Sequence, residues 1–286
     1  MNIFLTGATG FIGSHFVNQA LAAGHAVLAL RRNETSWPRI PLLQQPKWLD
    51  RSLDQVASQD LRGCDVLVHL AAHTGNVPYD NLHNCLRWNL MAVLQLFAQA
   101  HQAGIQHFVV AGTCFEYGRS GERFDSIPTD APLEPSNSYA ASKAAASIAL
   151  RQWASDNCCA LTILRVFHVF GEGEPESRFW PSLRRAALAG EDFPMSKGEQ
   201  IRDFIRVDKV AAAFLQQCLL SLATPTAIHT LNLGSGSPLM LREFAEYWWR
   251  AFNAKGHLLL GESPYREGEV MRYVAGPDLI QLGPPF

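Results

Sequence analysis

The stretch Gly7-Ala8-Thr9-Gly10-Phe11-Ile12-Gly13 decides how this chain folds. It follows directly on Asn2-Ile3-Phe4-Leu5-Thr6, a short apolar run of strand character. It opens a segment in which Ile12, Phe16, Val17, Ala20 and Leu21 recur at helical spacing, with Gly24 as the expected C-cap. Glycines between a strand and a helix permit a tight turn, close approach of the backbone to a pyrophosphate, and close packing of helix on strand. The helix start then offers unpaired N–H groups and a partial positive charge to phosphate. A glycine triplet alone is a weak sign, but in this strand-to-helix setting it predicts dinucleotide binding, through Gly7, Thr9, Gly10, Phe11, Ile12 and Gly13.

Outward from that loop the alternation continues. Residues 26–30, 65–70, 107–111 and 160–167 read as strands. Leu90, Val93, Leu94 and Phe97 follow the spacing of an amphipathic helix, and residues 139–153 are alanine-rich and helical. Strands alternating with helices predict an α/β fold, a doubly wound, Rossmann-type parallel sheet covered on both faces. After Phe170 the pattern loosens into glycine and proline clusters and short elements. The expected division is a dinucleotide-binding domain over 1–167 with a return segment at 203–232, and a smaller substrate-binding lobe from 168–202 and 233–286.

Composition narrows the function. The chain has 286 residues, 48% apolar and 17% charged, with 24 basic and 26 acidic side chains for a net charge of -2. That balance excludes a broadly basic nucleic-acid binder and argues against an acidic disordered chain. No apolar run approaches the ~18 residues of a membrane span. The N-terminus has no basic region before its first glycine, so no signal peptide is expected. The six cysteines form no Cys-x-x-Cys pair, and Cys158-Cys159 are adjacent. Reduced thiols in a cytoplasmic protein, with no metal site and no nucleic-acid or membrane partner, are the expectation. Charge is scarce against the usual figure of about 25%, which fits buried helices and a helix–helix dimer interface formed by residues 90–103 and 140–153.

Two further patterns carry chemistry. At the end of the second strand the sequence reads Ala29-Leu30-Arg31-Arg32-Asn33, where an acidic residue would bind the ribose hydroxyl of NAD. Two guanidinium groups suit a 2′-phosphate instead, so NADP is expected over NAD, which remains possible. Tyr139 and Lys143, spaced i, i+4, share one helix face, and Asn137 or Ser138 is placed to cap that helix. An ammonium beside a phenol, together with the positive nicotinamide ring of an oxidised complex, stabilises the phenolate and brings its pKa toward the working range of an acid/base catalyst. Thr113, just past a strand, can hydrogen-bond a substrate oxygen.

With these motifs on the page, the chain resembles the extended short-chain dehydrogenases/reductases of the NAD(P)-dependent epimerase/dehydratase branch. The resemblance spans almost the whole chain. It rests on Gly7 to Gly13, His69-Leu70-Ala71-Ala72, Asn89, Thr113 before Glu116-Tyr117-Gly118, and Tyr139-x-x-x-Lys143. It continues through Leu164 to Gly171, Arg202 to Asp208, Asn232 to Gly236, and Arg266 to Val270. The resemblance implies that Tyr139 is the general acid/base. It implies that Lys143 binds the nicotinamide ribose, that Thr113 orients the reacting oxygen, and that Asn89 supports the lysine through a water. Leu70, Ala71, Ala72 and Phe167 would line the cofactor cleft. Arg202 and Arg266 would grip a nucleotide-sugar diphosphate, with Ser177, Arg178 and Phe179 at the nucleotide and Cys114 and His168 near the sugar.

Departures from the family pattern select the reaction. Related dehydratases carry an Asp-Glu pair directly after the threonine; here Thr113 precedes Cys114 and Phe115, and Glu116 is displaced by one position. His168 replaces the asparagine usual in the 4-epimerases. Gly112 to Gly118 resembles nucleotide-sugar 4-ketoreductases. The expected activity is therefore NADPH-dependent reduction of a nucleotide-activated 4-keto-6-deoxyhexose, in deoxysugar pathways feeding cell-surface polysaccharide such as O-antigen. A C4 epimerase with resident NAD is the alternative. A non-catalytic dinucleotide sensor is a third, opposed by the intact Thr113, Tyr139 and Lys143. The resemblance also implies a final helix beyond residues 282–286, so a trimmed or remodelled sugar lobe is expected.

Overall fold

The computed structural model describes residues 1–75, 77–223, 226–266, 268–276 and 279–281. Its centre is an eight-stranded sheet in which every pairing is parallel. The strands are β1 (Asn2–Thr6), β2 (Ala26–Arg31), β3 (Lys47–Asp50), β4 (Val66–His69), β5 (His107–Thr113), β6 (Ala160–Val166), β10 (Ile228–Gly234) and β14 (Leu279–Gln281). Their spatial order is β3-β2-β1-β4-β5-β6-β10-β14. The order therefore reverses between β1 and β4, with Leu5 facing Ala29 on one side and Val68 on the other. In sheets of this kind ligands bind at that reversal, beyond the C-terminal strand ends.

Alternation along β1 shows how both faces are covered. Ile3 and Leu5 enter a core with Phe16 and Val17 of α1 (Phe11–Ala22) and Val210 and Phe214 of α6 (Val207–Ala223). Phe4, one residue out of phase, enters the opposite core with Val93 and Phe97 of α3 (Ala92–Gln102) and Leu150 of α4 (Ser138–Asp156). β4 and β6 are buried along their whole length, as a sheet covered on both faces requires. A short α2 (Leu82–Leu86) leads to α3 through a π-helical segment, Arg87–Met91, which carries Asn89.

The remaining elements are β7 (His168–Phe170), α5 (Phe179–Ala189), β8 (Phe193–Met195), β9 (Ile201–Arg206), β11 (Pro238–Met240), α7 (Leu241–Ala251), β12 (Leu258–Leu260) and β13 (Arg272–Tyr273). β9 lies between β11 and β13 and also pairs with β7, while β8 pairs with β12. Phe170, Phe204 and Phe244 form the core of this region, joined by Trp180 and Trp248. Buried Asp203 ties it to the main sheet by accepting from the Ser235, Gly236 and Ala275 amides. A Cβ at Gly234 would stand 2.6 Å from its carboxylate.

β3, four residues long, and β14 were not anticipated from the sequence pattern, because short edge strands leave little periodicity to read. Asn137 caps α4, its side chain accepting from the Ala140 amide, so the cap falls on the first of the two expected residues. Among the described residues no helix is long and apolar enough to cross a membrane. Residues 282–286 lie outside the described residues, and with them the expectation about the terminal helix.

Candidate active site

The glycine loop and the end of β4 meet. Gly7 has φ +76°, and a Cβ there would lie 2.6 Å from the Ala71 amide nitrogen. A Cβ on Gly13 would lie 2.0 Å from the Gly7 carbonyl oxygen. Only hydrogen in place of a side chain lets α1 start this close to the strands. α1 begins at Gly10 with no side-chain cap, so its first N–H groups face outward without a protein partner from a capping side chain. That is a cradle of the size and polarity a pyrophosphate needs, and the dinucleotide expectation fits it. It opens into a cleft of about 1240 Å³ whose wall carries all the expected cofactor residues: Gly7, Thr9 to Gly13 without a gap, Arg31, Arg32, Leu70, Ala71, Ala72, Tyr139, Lys143 and Phe167.

At the adenosine end the structure changes the status of one arginine. Arg31 donates from Nε to Asp50 Oδ1 at 2.5 Å and stacks over Trp48 at 4.8 Å. A carboxylate from β3 thus already holds the charge expected to meet a 2′-phosphate, a pairing set by the register of β2 on β3. Arg32 has no such partner among the described residues. A second arginine that the sequence expectation missed, Arg39, reaches the same wall beside Trp37 and Pro38. Among the described residues neither Arg32 nor Arg39 has a side-chain hydrogen bond or ion pair.

At the reacting end, Thr113 closes β5 and Tyr139 and Lys143 sit in the first turns of α4, all on the cleft wall and all nearly buried. Tyr79 stacks on Tyr139 with ring centroids 6.0 Å apart. In the free protein, without a nicotinamide ring, the phenol stays high. Burial, then the negative charge of Glu116, pushes Tyr139 up, while burial pushes Lys143 down against a partial opposing effect of Glu116. Desolvation dominates both groups, so the free protein presents a protonated phenol. His69 donates to or accepts from Thr6 at 2.8 Å, and burial with the nearby Lys143 lowers it to about 3, so it is neutral. Asn89, expected to support the lysine through a water, accepts from the His73 amide at 2.7 Å and donates to Ser142 Oγ at 2.9 Å.

The expected substrate residues divide. Cys114, His168 and Arg178 line the cleft. Burial raises the Cys114 thiol, which suits a small apolar wall better than a proton carrier. His168 stands among the rings of Phe115, Phe204 and Tyr273. Its Nδ1 is inaccessible and has no hydrogen-bond partner, and burial with the Arg202 and Arg178 charges keeps it neutral. Arg178 pairs with buried Glu174 at 3.2 Å. Ser177 is exposed and Phe179 packs against Phe193 and Phe244, neither on the cleft wall. Arg202 is also off that wall: it donates to Glu269 at 2.6 Å and lies over the Tyr273 ring, its charge met by protein. Arg266 is exposed, within electrostatic reach of Tyr79.

Besides Arg39, His73 lines the cleft without having been foreseen. Its Nε2 bonds to Asp80 at 2.8 Å. It follows His69-Leu70-Ala71-Ala72 directly, which was the only available signal. Among the described residues no group of His, Cys, Asp and Glu is placed to hold a metal ion.

A family model described as the NAD dependent epimerase/dehydratase family matches residues 3–233. A UDP-glucose 4-epimerase of Rhizobium meliloti (strain 1021) is 28% identical over 308 residues, 97% of this chain and 89% of its own. A dTDP-4-dehydro-6-deoxy-D-allose reductase of Streptomyces bikiniensis is 30% identical over 243 residues, 75% of this chain and 71% of its own. Among solved structures, MoeE5 in complex with UDP-glucose and NAD superposes with a TM-score of 0.83 at 27% identity, covering 99% of this chain and 91% of that one.

Proposed function

Because the chain belongs to the NAD-dependent epimerase/dehydratase family, we propose that this enzyme reduces a nucleotide-activated keto-sugar of the 4-keto-6-deoxyhexose type with NADPH. The observation that carries the proposal is a protonated, buried Tyr139 in one cleft with Thr113, Lys143 and an uncapped glycine cradle. When bound, the nicotinamide cofactor supplies the hydride that reaches the keto carbon. Tyr139 gives its hydroxyl proton to the carbonyl oxygen, so that one hydride and one proton make the alcohol. Thr113 donates a hydrogen bond to the same oxygen. Lys143 stands by the phenolate that remains. His168, on the cleft wall, stands beside the sugar, and Arg178 with Arg266 meets the diphosphate. Arg202 is left out of that set, since Glu269 holds it.

Relatives named for UDP- and dTDP-sugars support the substrate class. The unpartnered Arg32 and Arg39 support NADPH. The test is NADPH oxidation followed spectrophotometrically against CDP-, dTDP-, GDP- and UDP-linked 4-keto-6-deoxyhexoses, with NMR of the product. Stoichiometric oxidation with one of them is expected. No oxidation with any, together with copurified NAD, defeats the proposal.

The second reading is a C4 epimerase with resident NAD. The neutralisation of Arg31 by Asp50 favours it, as does the NAD in the MoeE5 complex. It requires exchange between C4 epimers without net consumption of NADPH. In either case we assign 1–167 with the return at 203–232 to cofactor binding, and 168–202 with 233–286 to the sugar. We place the enzyme in the cytoplasm, in deoxysugar synthesis. We read it as a homodimer through α3 and α4, near exposed Met91 (60%) and Ile148 (63%). Sedimentation of the Ile148→Glu variant as a monomer is the corresponding check.

A further inference from the structure

Below the cleft lies a carboxylate that takes no part in the chemistry just described. Glu116 is 0% exposed and is not on the cleft wall, so it cannot protonate a leaving hydroxyl as the displaced acid of a dehydratase. Its two oxygens are fully engaged. Oε1 accepts from the Thr113 amide at 2.9 Å. Oε2 accepts from Ser147 Oγ at 2.8 Å and from Arg165 Nε at 3.0 Å.

These partners sit on three elements that must agree for the site to work. Thr113 ends β5. Arg165 is on β6. Ser147 lies one helical turn beyond Lys143 and two beyond Tyr139, on the same buried face of α4. A Cβ on Gly112 would stand 2.7 Å from Glu116 Oε1, so the strand end is shaped around this carboxylate. Arg165 has other partners of its own, the Tyr117 hydroxyl at 2.9 Å and the Thr129 carbonyl at 2.8 Å. A carboxylate present only to balance Arg165 would have no need of the Thr113 amide.

We propose that Glu116 is a positioning residue whose carboxylate clamps Thr113 to the helix face of Tyr139 and Lys143 and supplies the buried negative charge behind them. The proposal rests on the reading of Tyr139 as the acid/base. The charged and titratable groups around Glu116 are Cys114 and Tyr117 in its own turn, Arg165 on β6, and Tyr139 and Lys143 on α4; Arg178 and Tyr79 also bear on Tyr139. Among the charges acting on Tyr139, Glu116 has the largest effect, and it opposes loss of the phenolic proton. It thus keeps the acid loaded until a neighbouring cation or reacting oxygen draws the proton away.

The experiment is a pH titration of the phenolate ultraviolet difference spectrum in the complex with saturating NADP⁺, wild type against Glu116→Gln, with Tyr139→Phe as the blank. The step lost in Tyr139→Phe is the Tyr139 step. In Glu116→Gln it is expected to move to lower pH by about one unit, because a negative charge has been removed while the side-chain shape is kept. An unchanged midpoint in the folded variant overturns the proposal and leaves the acid/base assignment standing. If Tyr139→Phe removes no step, the acid/base assignment falls and the proposal with it. Should Glu116→Gln not fold, the double variant Glu116→Gln/Arg165→Met, which removes both buried charges, takes its place. A downward shift there supports the proposal, and an unchanged midpoint overturns it.

Discussion

The two ends of the cleft treat charge in opposite ways. At the reacting end the ion pair Arg165–Glu116 is sealed, with side-chain exposures of 6% and 0%, and each of its polar atoms that meets a partner does so inside the protein. At the adenosine end the pair Arg31–Asp50 is exposed by 14% and 37%, and beside it Arg32 and Arg39 have no side-chain hydrogen bond or ion pair among the described residues. Between them, Glu174 pairs with Arg178 through one oxygen while its Oε2 is buried with no hydrogen bond. A buried charge that is completely hydrogen-bonded fixes geometry. A charge at the rim is available to a ligand, and one that is buried but half satisfied responds to pH.

The largest effect expected from breaking this contrast is at the sealed pair. Arg165→Met leaves Glu116 uncompensated and is expected to lose about 3–5 kcal/mol in urea unfolding. A loss within measurement error means the network is not sealed. Next, Tyr139→Phe is expected to lower turnover on the order of 10²-fold or more, about 3 kcal/mol, with NADPH affinity unchanged by fluorescence titration. Near-normal turnover removes the acid/base role from the reacting end.

Glu174 tests the intermediate case. Burial raises its carboxyl to about 7 from 4.5, against the pull of Arg178. The folded protein therefore holds this proton more tightly than the unfolded chain. Its contribution to stability is greatest below pH 4.5, declines as pH rises to about 7, and is flat above. Glu174→Gln is expected to stabilise the protein at pH 8 by on the order of 1–3 kcal/mol and to flatten that slope in melts run across the window. A variant no more stable than wild type at pH 8 contradicts the half-satisfied state.

At the open end, alanine at Arg32 and Arg39 together is expected to weaken NADPH about tenfold or more beyond any effect on NADH. Equal effects on both cofactors remove the 2′-phosphate role. The smallest effect is at Asp50. Asp50→Ala frees Arg31 and is expected to tighten NADPH by no more than about fivefold, read as the ratio of dissociation constants for the two cofactors. Weaker NADPH binding in that variant means the pair orders the site instead of competing for the phosphate.

Legibility along the chain followed the range of the interactions. The glycine loop, the helix of Tyr139 and Lys143, and the threonine at the end of β5 were readable because each is a local pattern: strand, turn, helix period, i, i+4 spacing. Asp50 could not be assigned to Arg31, since the two are joined only by the register of β2 on β3. The expected grip of Arg202 on substrate ignored Glu269, which is 67 residues away in sequence. Ser177 and Phe179 were assigned through resemblance, and the local turn into α5 carries them off the cleft wall.

The sequence by itself determined the parallel α/β layering, the glycine cradle and the helix that carries Tyr139 and Lys143, because hydrophobic period and glycine placement act over a few residues. Only the tertiary structure decided which charges are free. Arg31 and Arg202 are held, and among the described residues Arg32 and Arg39 have no side-chain partner. Glu116 is sealed beneath the site rather than presented to substrate. Burial, which depends on the whole fold, also sets the direction for Tyr139 in the free protein, where desolvation pushes the phenol up.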